Sequence, residues 1–315
     1  MQVNDLIFKE ILRRGYSLEG NTRVWNIADS KLWYLTSEQA QAYLDLVDTD
    51  KYKTKVSPKE MQLLNKNMKD ILKQVSAKAV NIVDLGCGNG KKGAMFIEAF
   101  QKDNKKVRYC PIDISGHMVQ QAIDNVSKTT NSEILQVQWN ISDFENLGNI
   151  TSVLNKGTFK KNFFLLLGNT LGNFEIHELL HQVRSSMKEG DVLLIGNGLN
   201  NHKVEQDIVK SCRENPAFDD FFSLILTQLG FNKKDLKYDA RFSHSRIEFF
   251  YTVEKDVKVS FADKHIYFMP GDQIVVAVAY HYEKDDFIGY LNMYFDEVQM
   301  YKSEDGSYCL ASCKK

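Results

Sequence analysis

The sequence predicts an α/β protein in which a parallel sheet is flanked by helices and followed by a β-rich region. Two patterns predict this fold class. Short apolar runs alternate with helical patterns between residues 80 and 195, which is typical of βαβ units. A group of glycines directly follows the first apolar run, where a ligand approaches the backbone in such sheets.

Composition and charge restrict the class of protein. The chain has 315 residues, of which 43% are hydrophobic and 26% are charged, as in ordinary globular domains. A formal net charge of −1 provides no general field for nucleic acid or an anionic membrane. The five cysteines are scattered without a C-x-x-C pair, so neither a disulfide framework nor a zinc site is expected. No apolar run has the length of a signal peptide or membrane span, and we expect a cytoplasmic protein.

The first region, residues 1–55, is predicted to be mainly helical. Its first helix has four apolar residues on one face, namely Leu6, Ile7, Ile11 and Leu12. The next region begins with a helix at Ser57-Pro58-Lys59-Glu60, where Ser is a good N-cap, Pro suits the first turn and Glu completes a capping box.

Strands and helices then alternate over residues 56–200, the predicted ligand-binding domain. The predicted strands are 80–85, 107–113, 134–139, 163–167 and 192–195. Residues 201–315 begin with helical patterns and then become β-rich, with strands predicted at 246–253, 258–261, 273–282 and 299–301.

The motif Val83-Asp84-Leu85-Gly86-Cys87-Gly88-Asn89-Gly90 carries the strongest chemical signal. Its G-x-G-x-G spacing fits neither a P-loop nor a strict dinucleotide fingerprint. Asp113 ends the second strand, where a carboxylate can accept both hydroxyls of a ribose. Asp143-Phe144 follows the third strand, where the acid can accept an exocyclic amine and the ring can cover an adenine.

These three features, in this order, resemble the class I S-adenosylmethionine-dependent methyltransferases. Residues Asp84–Gly90 match the D/E-x-G-x-G-x-G motif of that class. The resemblance implies a Rossmann-like core and S-adenosylmethionine as cofactor. The cofactor-binding residues that it implies are Asp84, Gly86, Cys87, Gly88, Gly90, Asp113, Asp143 and Phe144. Tyr34 and Gly168 join this set through the resemblance to the narrower family described next.

The fourth strand resembles a narrower family. Residues 163–174, FFLLLGNTLGNF, are similar to the F-L-G-x-T-I-G-N-F segment of the histidine-specific methyltransferases, which trimethylate the α-amine of histidine in ergothioneine biosynthesis and have fungal relatives acting on tryptophan derivatives. Residues 31–55, and Arg246-Ile247-Glu248 with the later Gly271-Asp272, agree with other segments of the family. The resemblance covers roughly residues 30 to 315 and is specific in the cofactor half.

The resemblance also implies substrate contacts. Asn173 matches the asparagine that holds the substrate amino acid, although the same residue could cap the helix that follows. Tyr52 matches the second tyrosine of Y-Y-P-T-R, and Lys51 stands at the first, which suggests an anionic group on the substrate. Tyr280 and Tyr282 either line a reshaped pocket or simply alternate along a strand. No general base is assigned; His281 and His244 are candidates.

Two departures bear on the acceptor. Ala277 and Ala279 stand where the family has the Glu and Ser that bind the imidazole, and the family's helix tyrosine falls near Cys212. A site without those hydrogen bonds loses its preference for histidine. We therefore expect methyl transfer to nitrogen of another small amino-acid-like molecule or amine, with the N-terminal helices and the segment 201–315 closing over it.

Three alternatives stay open at this point. The chain could bind S-adenosylmethionine without turnover, or act as a subunit beside a protein partner. The third alternative is a zinc metallopeptidase, because His177-Glu178-Leu179-Leu180-His181 is a literal H-E-x-x-H. No third ligand is evident, so we expect no metal. The sequence leaves the oligomeric state open.

Overall fold

The computed structural model describes residues 4–49, 57–129, 133–134, 147–200 and 202–315. It divides the chain into two compact units. The core unit comprises residues 52–201 and 281–315, and the accessory unit comprises residues 1–51 and 202–280. In the described residues, no helix is long and apolar enough to span a membrane.

The elements are numbered along the chain. In the described residues the α-helices are α1 (Asp5–Arg14), α2 (Ser37–Asp48), α3 (Ser57–Lys73), α4 (Lys91–Lys102), α5 (Gly116–Thr129), α6 (Leu147–Leu154), α7 (Ile176–Ser186), α8 (His202–Glu214), α9 (Pro216–Thr227) and α10 (Lys284–Tyr294). Short 3₁₀ helices cover Ser30–Trp33, Thr170–Asn173 and Lys233–Asp235. The strands are β1 (Ser17–Glu19), β2 (Thr22–Asn26), β3 (Ala79–Leu85), β4 (Lys106–Ile112), β5 (Glu133–Ile134), β6 (Lys161–Leu166), β7 (Val192–Gly198), β8 (Leu236–Ser243), β9 (Arg246–Val253), β10 (Val257–Phe261), β11 (Lys264–Phe268), β12 (Gln273–Tyr280), β13 (Glu297–Lys302) and β14 (Tyr308–Lys314).

The core unit is built on a seven-stranded sheet in the order β13-β14-β7-β6-β3-β4-β5. The five strands from β5 to β7 are parallel, whereas β14 runs antiparallel to both β7 and β13. Helices α4, α5 and α7 each follow a parallel strand. The predicted α/β class with a parallel sheet is therefore confirmed.

Apolar side chains on one face of the parallel strands form the core of this unit. Phe163 is fully buried, and its ring centroid lies 5.2 Å from that of Phe96 and 5.3 Å from that of Phe100 on α4. Strands covered by helices on both faces read as continuous apolar runs, which is why the strand positions could be predicted. Their carboxyl ends place the following loops at one edge of the sheet.

The accessory unit contains a five-stranded sheet in the order β1-β2-β12-β9-β8. Its β12 pairs antiparallel with β9 and parallel with β2. The indole of Trp33 donates a hydrogen bond to the Val276 carbonyl at 3.0 Å. On α9, Phe222 packs against both Trp33 and Phe249. An aromatic cluster therefore covers the face of the sheet that carries Phe249.

The division of the chain differs from the expected boundaries. The sequence grouped residues 201–315 as one β-rich region, but 281–315 belong to the core unit, where β14 and β13 extend the parallel sheet. Strand β14 lies between β7 and β13 and is buried along most of its length, as are β9 and β12 of the accessory sheet, so the apolar pattern does not separate the two cases.

Only Glu133–Ile134 of the third strand is described, and 135–139 lie outside the described residues.

The N-terminal region also differs from the prediction. It contains the hairpin β1–β2 as well as helices. On α1, Ile7, Phe8 and Ile11 are buried, whereas Leu6 and Leu12 are half exposed. Residues 7, 8 and 11 share one helical face, and positions 6 and 12 lie at its margins.

Candidate functional site

The glycine loop, residues 86–90, connects β3 to α4 at the carboxyl edge of the central sheet. The Gly86 and Cys87 N–H groups both donate to the Ile112 carbonyl, at 2.8 and 3.0 Å, so the loop is attached to the end of β4. Gly90 has φ +71°, and a Cβ there would lie 2.7 Å from the Ala122 Cα. A Cβ on Gly86 would lie 2.9 Å from the Thr170 side chain. Packing within the protein therefore explains these two glycines.

Gly88 is different. It also has a left-handed φ of +51°, but no heavy atom lies within 4 Å of the position that its Cβ would take. The backbone of the loop therefore faces open space at its middle glycine. A ligand can approach the main chain there without meeting a side chain, which fits the adenosine-type group that the motif implies.

Asp113 lies beside this opening. Its Oδ2 accepts the Gly88 N–H at 3.0 Å, and its Oδ1 accepts the Ser115 N–H at 3.1 Å. The residue is only 9% exposed, and burial raises the pKa of its carboxyl to about 6, against the lowering effect of backbone N–H donors. An ionised carboxylate has about four acceptor positions, and the backbone N–H groups of Gly88, Ser115 and Ile114 act on this one, so acceptor capacity remains for a hydroxyl group of a ligand.

Asp84 and Cys87 are held mainly by the fold. The Asp84 carboxylate accepts the Tyr109 hydroxyl at 2.6 Å, and burial raises its pKa to about 6. It lies against the start of α4, since a Cβ on Gly93 would be 2.7 Å from its Oδ2. Burial also raises the pKa of the Cys87 thiol well above its usual value. Direct cofactor contacts by these two side chains stay predictions.

A buried carboxylate that sequence reasoning missed lies at the same edge. Glu60 on α3 is 3% exposed; its Oε2 lies 2.5 Å from the Lys92 Nζ. Its Oε1 accepts the Gly168 N–H and the Tyr308 hydroxyl, both at 2.8 Å. The sequence feature that could have indicated a charged partner here is Lys92, two residues after the glycine motif. The pattern around Glu60 by itself predicts only the start of a helix.

The loop after β6 contains Gly168 and Asn173. Asn169 adopts φ +66°, and its side-chain oxygen accepts the Gly198 N–H at 2.6 Å, which joins the ends of β6 and β7. Glu175, and not Asn173, is the N-cap of α7, because its carboxylate accepts the His177 and Glu178 N–H groups. The capping alternative for Asn173 is therefore wrong, and its half-buried amide remains a candidate for substrate binding.

Two predicted site residues lie in the accessory unit. The ring of Tyr34 packs edge-on against Tyr43 at 5.4 Å and lies 5.9 Å from Phe221. Tyr280 is paired across the sheet with Arg246, which donates to its hydroxyl at 3.3 Å. Successive strand residues point to opposite faces, so Tyr280 lies on the other face from Ala277 and Ala279. The ligand contacts of Tyr34 and Tyr280 stay predictions.

Tyr282 and His281 lie in the core unit. The Tyr282 ring is stacked 5.9 Å from Phe287 and is largely buried. The His281 imidazole covers Gly198, whose Cβ would lie 2.8 Å from the His281 Cε1. Burial lowers the pKa of His281 to about 4, so this imidazole is neutral at pH 7. The other candidate base, His244, is exposed in the β8–β9 turn and lies 2.7 Å from the Ser243 Oγ.

Four predicted site residues lie outside the described residues. They are Lys51, Tyr52, Asp143 and Phe144. Their cofactor and substrate roles stay predictions.

The H-E-x-x-H segment forms part of α7. The His177 ring packs edge-on against Tyr290 at 5.0 Å, and its Nδ1 lies 3.1 Å from the Tyr294 hydroxyl. Across the described ranges, no three His, Cys, Asp or Glu side chains are grouped so as to hold a metal ion. Ordinary packing between α7 and α10 thus explains His177, and the peptidase alternative gains no support.

Comparison with known proteins identifies a family. The profile of a family described as histidine-specific, S-adenosylmethionine-dependent methyltransferases matches residues 33–315. This match includes the glycine loop, Asp113 and the loop after β6.

Individual relatives match more narrowly. Ergothioneine biosynthesis protein 1 of Schizosaccharomyces pombe is 25% identical over 160 residues, which cover 47% of this chain and 20% of that protein. N-methyltransferase fsqC of Aspergillus fumigatus is 25% identical over 149 residues, which cover 46% of this chain and 40% of that protein. The match thus spans less than half of either relative. A solved structure, the PH0226 protein from Pyrococcus horikoshii, is similar with a TM-score of 0.47 and 14% identity, covering 89% of this chain and 100% of that chain.

Proposed function

Since the chain belongs to the family of histidine-specific, S-adenosylmethionine-dependent methyltransferases, we propose that it methylates the nitrogen of a small amino-acid-like molecule or other amine. The observation that carries the proposal is the opening at Gly88, with the Asp113 carboxylate fixed beside it. An intact cofactor-binding edge is what a methyltransferase requires first, and this edge retains its glycines and its acid.

The described residues suggest how the cofactor is held. The remaining acceptor capacity of the Asp113 carboxylate would serve the ribose hydroxyls, beside the exposed backbone of Gly88. The Lys92 ammonium lies near the Gly168 turn and would pair with the carboxylate of the cofactor. When bound, S-adenosylmethionine supplies a methyl group on a positively charged sulfur.

The protein's part in the reaction is to hold the acceptor nitrogen in line and unprotonated. Transfer would form an N–C bond as the S–C bond broke with its electron pair left on sulfur, and the nitrogen would then release a proton to solvent. Removing the amine from water lowers its pKa and exposes its lone pair, and alignment supplies the rest of the rate. Asn173 would hold the polar group of the acceptor, and Lys51 and Tyr52 would contribute further contacts.

The acceptor that we propose is not histidine. The printed name of fsqC describes an N-methyltransferase, which supports nitrogen as the atom methylated. Ala277 is fully buried on the sheet face covered by Phe222 and Phe249, and it offers no hydrogen bond to an imidazole. We infer that the accessory unit recognises a less polar acceptor side chain.

The proposal extends to surroundings and partners. All five thiols are free and buried, which supports a reducing, cytoplasmic location. We propose a small molecule, rather than nucleic acid, as the partner, in keeping with the balanced charge.

A transfer assay tests this function. The purified chain is incubated with S-adenosylmethionine labelled in its methyl group and a panel of amino acids and biogenic amines, and labelled product is measured. We expect transfer to at least one amine other than histidine, with loss of transfer in Asp113→Ala. Binding of cofactor without transfer to any amine would favour the non-catalytic alternative, and histidine as the best acceptor would contradict the proposed specificity.

A further inference from the structure

Glu60 connects three separate parts of the core unit through one buried carboxylate. Its Oε1 accepts the backbone N–H of Gly168 after β6 and the hydroxyl of Tyr308 at the start of β14. Its Oε2 pairs with Lys92 on α4 at 2.5 Å. The side chain of Glu60 is 4% exposed, against 30% for Lys92, so the acid is fixed in the interior while the ammonium reaches the surface.

The backbone leaves room for this carboxylate at a specific place. A Cβ on Gly196 would lie 2.3 Å from the Glu60 Oε1 and 2.9 Å from the Tyr308 hydroxyl. A Cβ on Gly168 would lie 2.7 Å from the Lys92 Nζ. The missing side chains at these two strand ends therefore allow an ion pair to lie directly against the carboxyl edge of the sheet.

A purely architectural ion pair does not account well for this arrangement. Burying a carboxylate is costly even when it is paired, and the two neutral donors, Gly168 and Tyr308, would be satisfied by an amide oxygen as well. Among the described residues, the cation that pairs with the Glu60 carboxylate is Lys92. A free lysine side chain has many rotamers, and the pair restricts the ammonium to one position beside Gly168.

We propose that Glu60 is a positioning residue that fixes the Lys92 ammonium to receive the carboxylate of the bound cofactor. This inference rests on the proposed function, because it assigns Lys92 to the amino-acid part of S-adenosylmethionine. Glu60 itself does not touch the ligand. It sets the place and direction of the positive charge through Lys92, and it ties that charge to the loop after β6.

The experiment compares two ligands in the full-length protein. S-adenosylhomocysteine carries the amino-acid carboxylate, whereas 5′-methylthioadenosine has the same nucleoside and thioether without it. In Glu60→Gln, affinity for S-adenosylhomocysteine should fall by about tenfold, the scale of coupling between contacting charged residues. Affinity for 5′-methylthioadenosine should change less than about twofold, since its contacts do not include Lys92.

A double-mutant cycle with Lys92→Met separates positioning from general damage. In the Lys92→Met background, Glu60→Gln should cause no further loss of S-adenosylhomocysteine affinity, because the group that it positions is gone. Tyr308→Phe is the matched control: it removes one hydrogen bond to Glu60 but keeps the charge, so both affinities should remain. Thermal unfolding of each variant is measured first, so that the titrations are carried out at a temperature at which all variants are folded.

Several outcomes would overturn the inference. An equal loss for both ligands in Glu60→Gln, an unchanged or stronger affinity for S-adenosylhomocysteine, or additive losses in the cycle would show that Glu60 acts only on the structure. If Glu60→Gln does not fold, Tyr308→Phe is used in its place. A tenfold loss of S-adenosylhomocysteine affinity in Tyr308→Phe would assign the role of Glu60 to packing. Unchanged affinity in Tyr308→Phe, together with a large loss in Lys92→Met, would support positioning. Failure of the wild type to bind either ligand would instead contradict the proposed function.

Discussion

The Asp113 carboxylate accepts the Gly88 N–H at 3.0 Å, so the acid that follows β4 holds the middle glycine of the loop that follows β3. This contact joins two motifs that lie 25 residues apart in sequence. It also orients the acid before any ligand arrives, because one oxygen is committed to Gly88 and the other to Ser115. A preorganised acceptor loses little freedom when hydroxyl groups bind to it.

Replacement of Asp113 by Ala should weaken binding of S-adenosylmethionine by roughly 1–3 kcal/mol, the scale of losing a buried polar partner. Titration calorimetry measures the change. Asp124→Ala is the control, since Asp124 is an exposed acid on α5 that accepts a hydrogen bond from Gln120. Equal affinity in Asp113→Ala and wild type would remove the assignment of the ribose site.

Substitution of Gly88, at the centre of the loop, and of Gly90, at its end, should have different effects on stability and on cofactor binding. Gly90→Ala places a Cβ 2.7 Å from the Ala122 backbone, so it should lower the unfolding free energy by more than the ~1 kcal/mol typical of a left-handed alanine alone. Gly88→Ala meets no neighbour within 4 Å and should cost only about that much stability, but it blocks the opening and should abolish cofactor binding.

Chemical denaturation and ligand titration of both variants separate these effects. If Gly88→Ala binds cofactor with wild-type affinity, the ligand does not approach the loop where the structure opens it. If Gly90→Ala is as stable as wild type, the close approach to Ala122 is not a constraint.

The affinity for cofactor should depend on pH through Asp113. Burial raises the pKa of this carboxyl to about 6 in the free protein. Hydroxyl donors favour the ionised form, so binding lowers that pKa, and affinity must fall as pH drops through about 6. Titrations between pH 5 and 8 should show this fall in wild type and a flatter profile in Asp113→Asn, which has no carboxyl to protonate. Identical profiles would contradict the role of the ionised carboxylate.

Asn173 should affect the acceptor and not the cofactor. Its half-buried amide does not cap α7, since Glu175 does so. Asn173→Ala should raise KM for the acceptor by about 5- to 100-fold, as expected when a polar substrate group loses its partner, and leave S-adenosylhomocysteine affinity unchanged. Steady-state kinetics on the amine identified by the transfer assay measures the first, and titration measures the second. A loss of cofactor affinity in this variant would move Asn173 to the cofactor site.

His281 should contribute a loss of stability in mild acid, which the buried carboxyls of Asp84 and Asp113 oppose because burial raises their pKa to about 6. Burial lowers the pKa of His281 to about 4, below the unfolded value of about 6.5. The unfolded chain therefore takes up a proton first as pH falls from about 6.5 to 4, and this lowers the unfolding free energy. Between pH 7 and pH 5, the unfolding free energy of His281→Gln should fall less, or rise more, than that of wild type. The same pH effect in both would show that this imidazole is not buried in its neutral form.

Much of the fold could be predicted from hydrophobic periodicity and short motifs. The strands near residues 80, 107, 163 and 192 could be predicted because successive residues on both faces of the sheet are buried, so apolar residues predominate along each strand. The glycine loop and Asp113 follow two of these strands directly, and the structure places them together. Adjacent parallel strands bring their carboxyl ends to one edge, so that juxtaposition follows from strand order alone.

The parts that sequence reasoning missed depend on contacts between distant residues. Glu60 and Lys92 belong to different helices, and nothing local indicates that Tyr308, 248 residues from Glu60 along the chain, joins them. The extension of the sheet by β14 could not be predicted either, because its pattern resembles that of the strands in the accessory unit. The opposite orientations of Tyr280 and Ala279 follow from strand alternation, but the pairing of Tyr280 with Arg246 depends on strand register, which one sequence does not reveal.

Calorimetric titration of the wild-type protein with S-adenosylmethionine and S-adenosylhomocysteine, with metal content measured on the same sample, tests the central claim most directly. We predict binding of both ligands with one site per chain and dissociation constants on the order of micromolar (about −8 kcal/mol), without stoichiometric zinc. Absence of binding by either ligand, together with one zinc per chain, would contradict the methyltransferase account and return attention to His177 and His181.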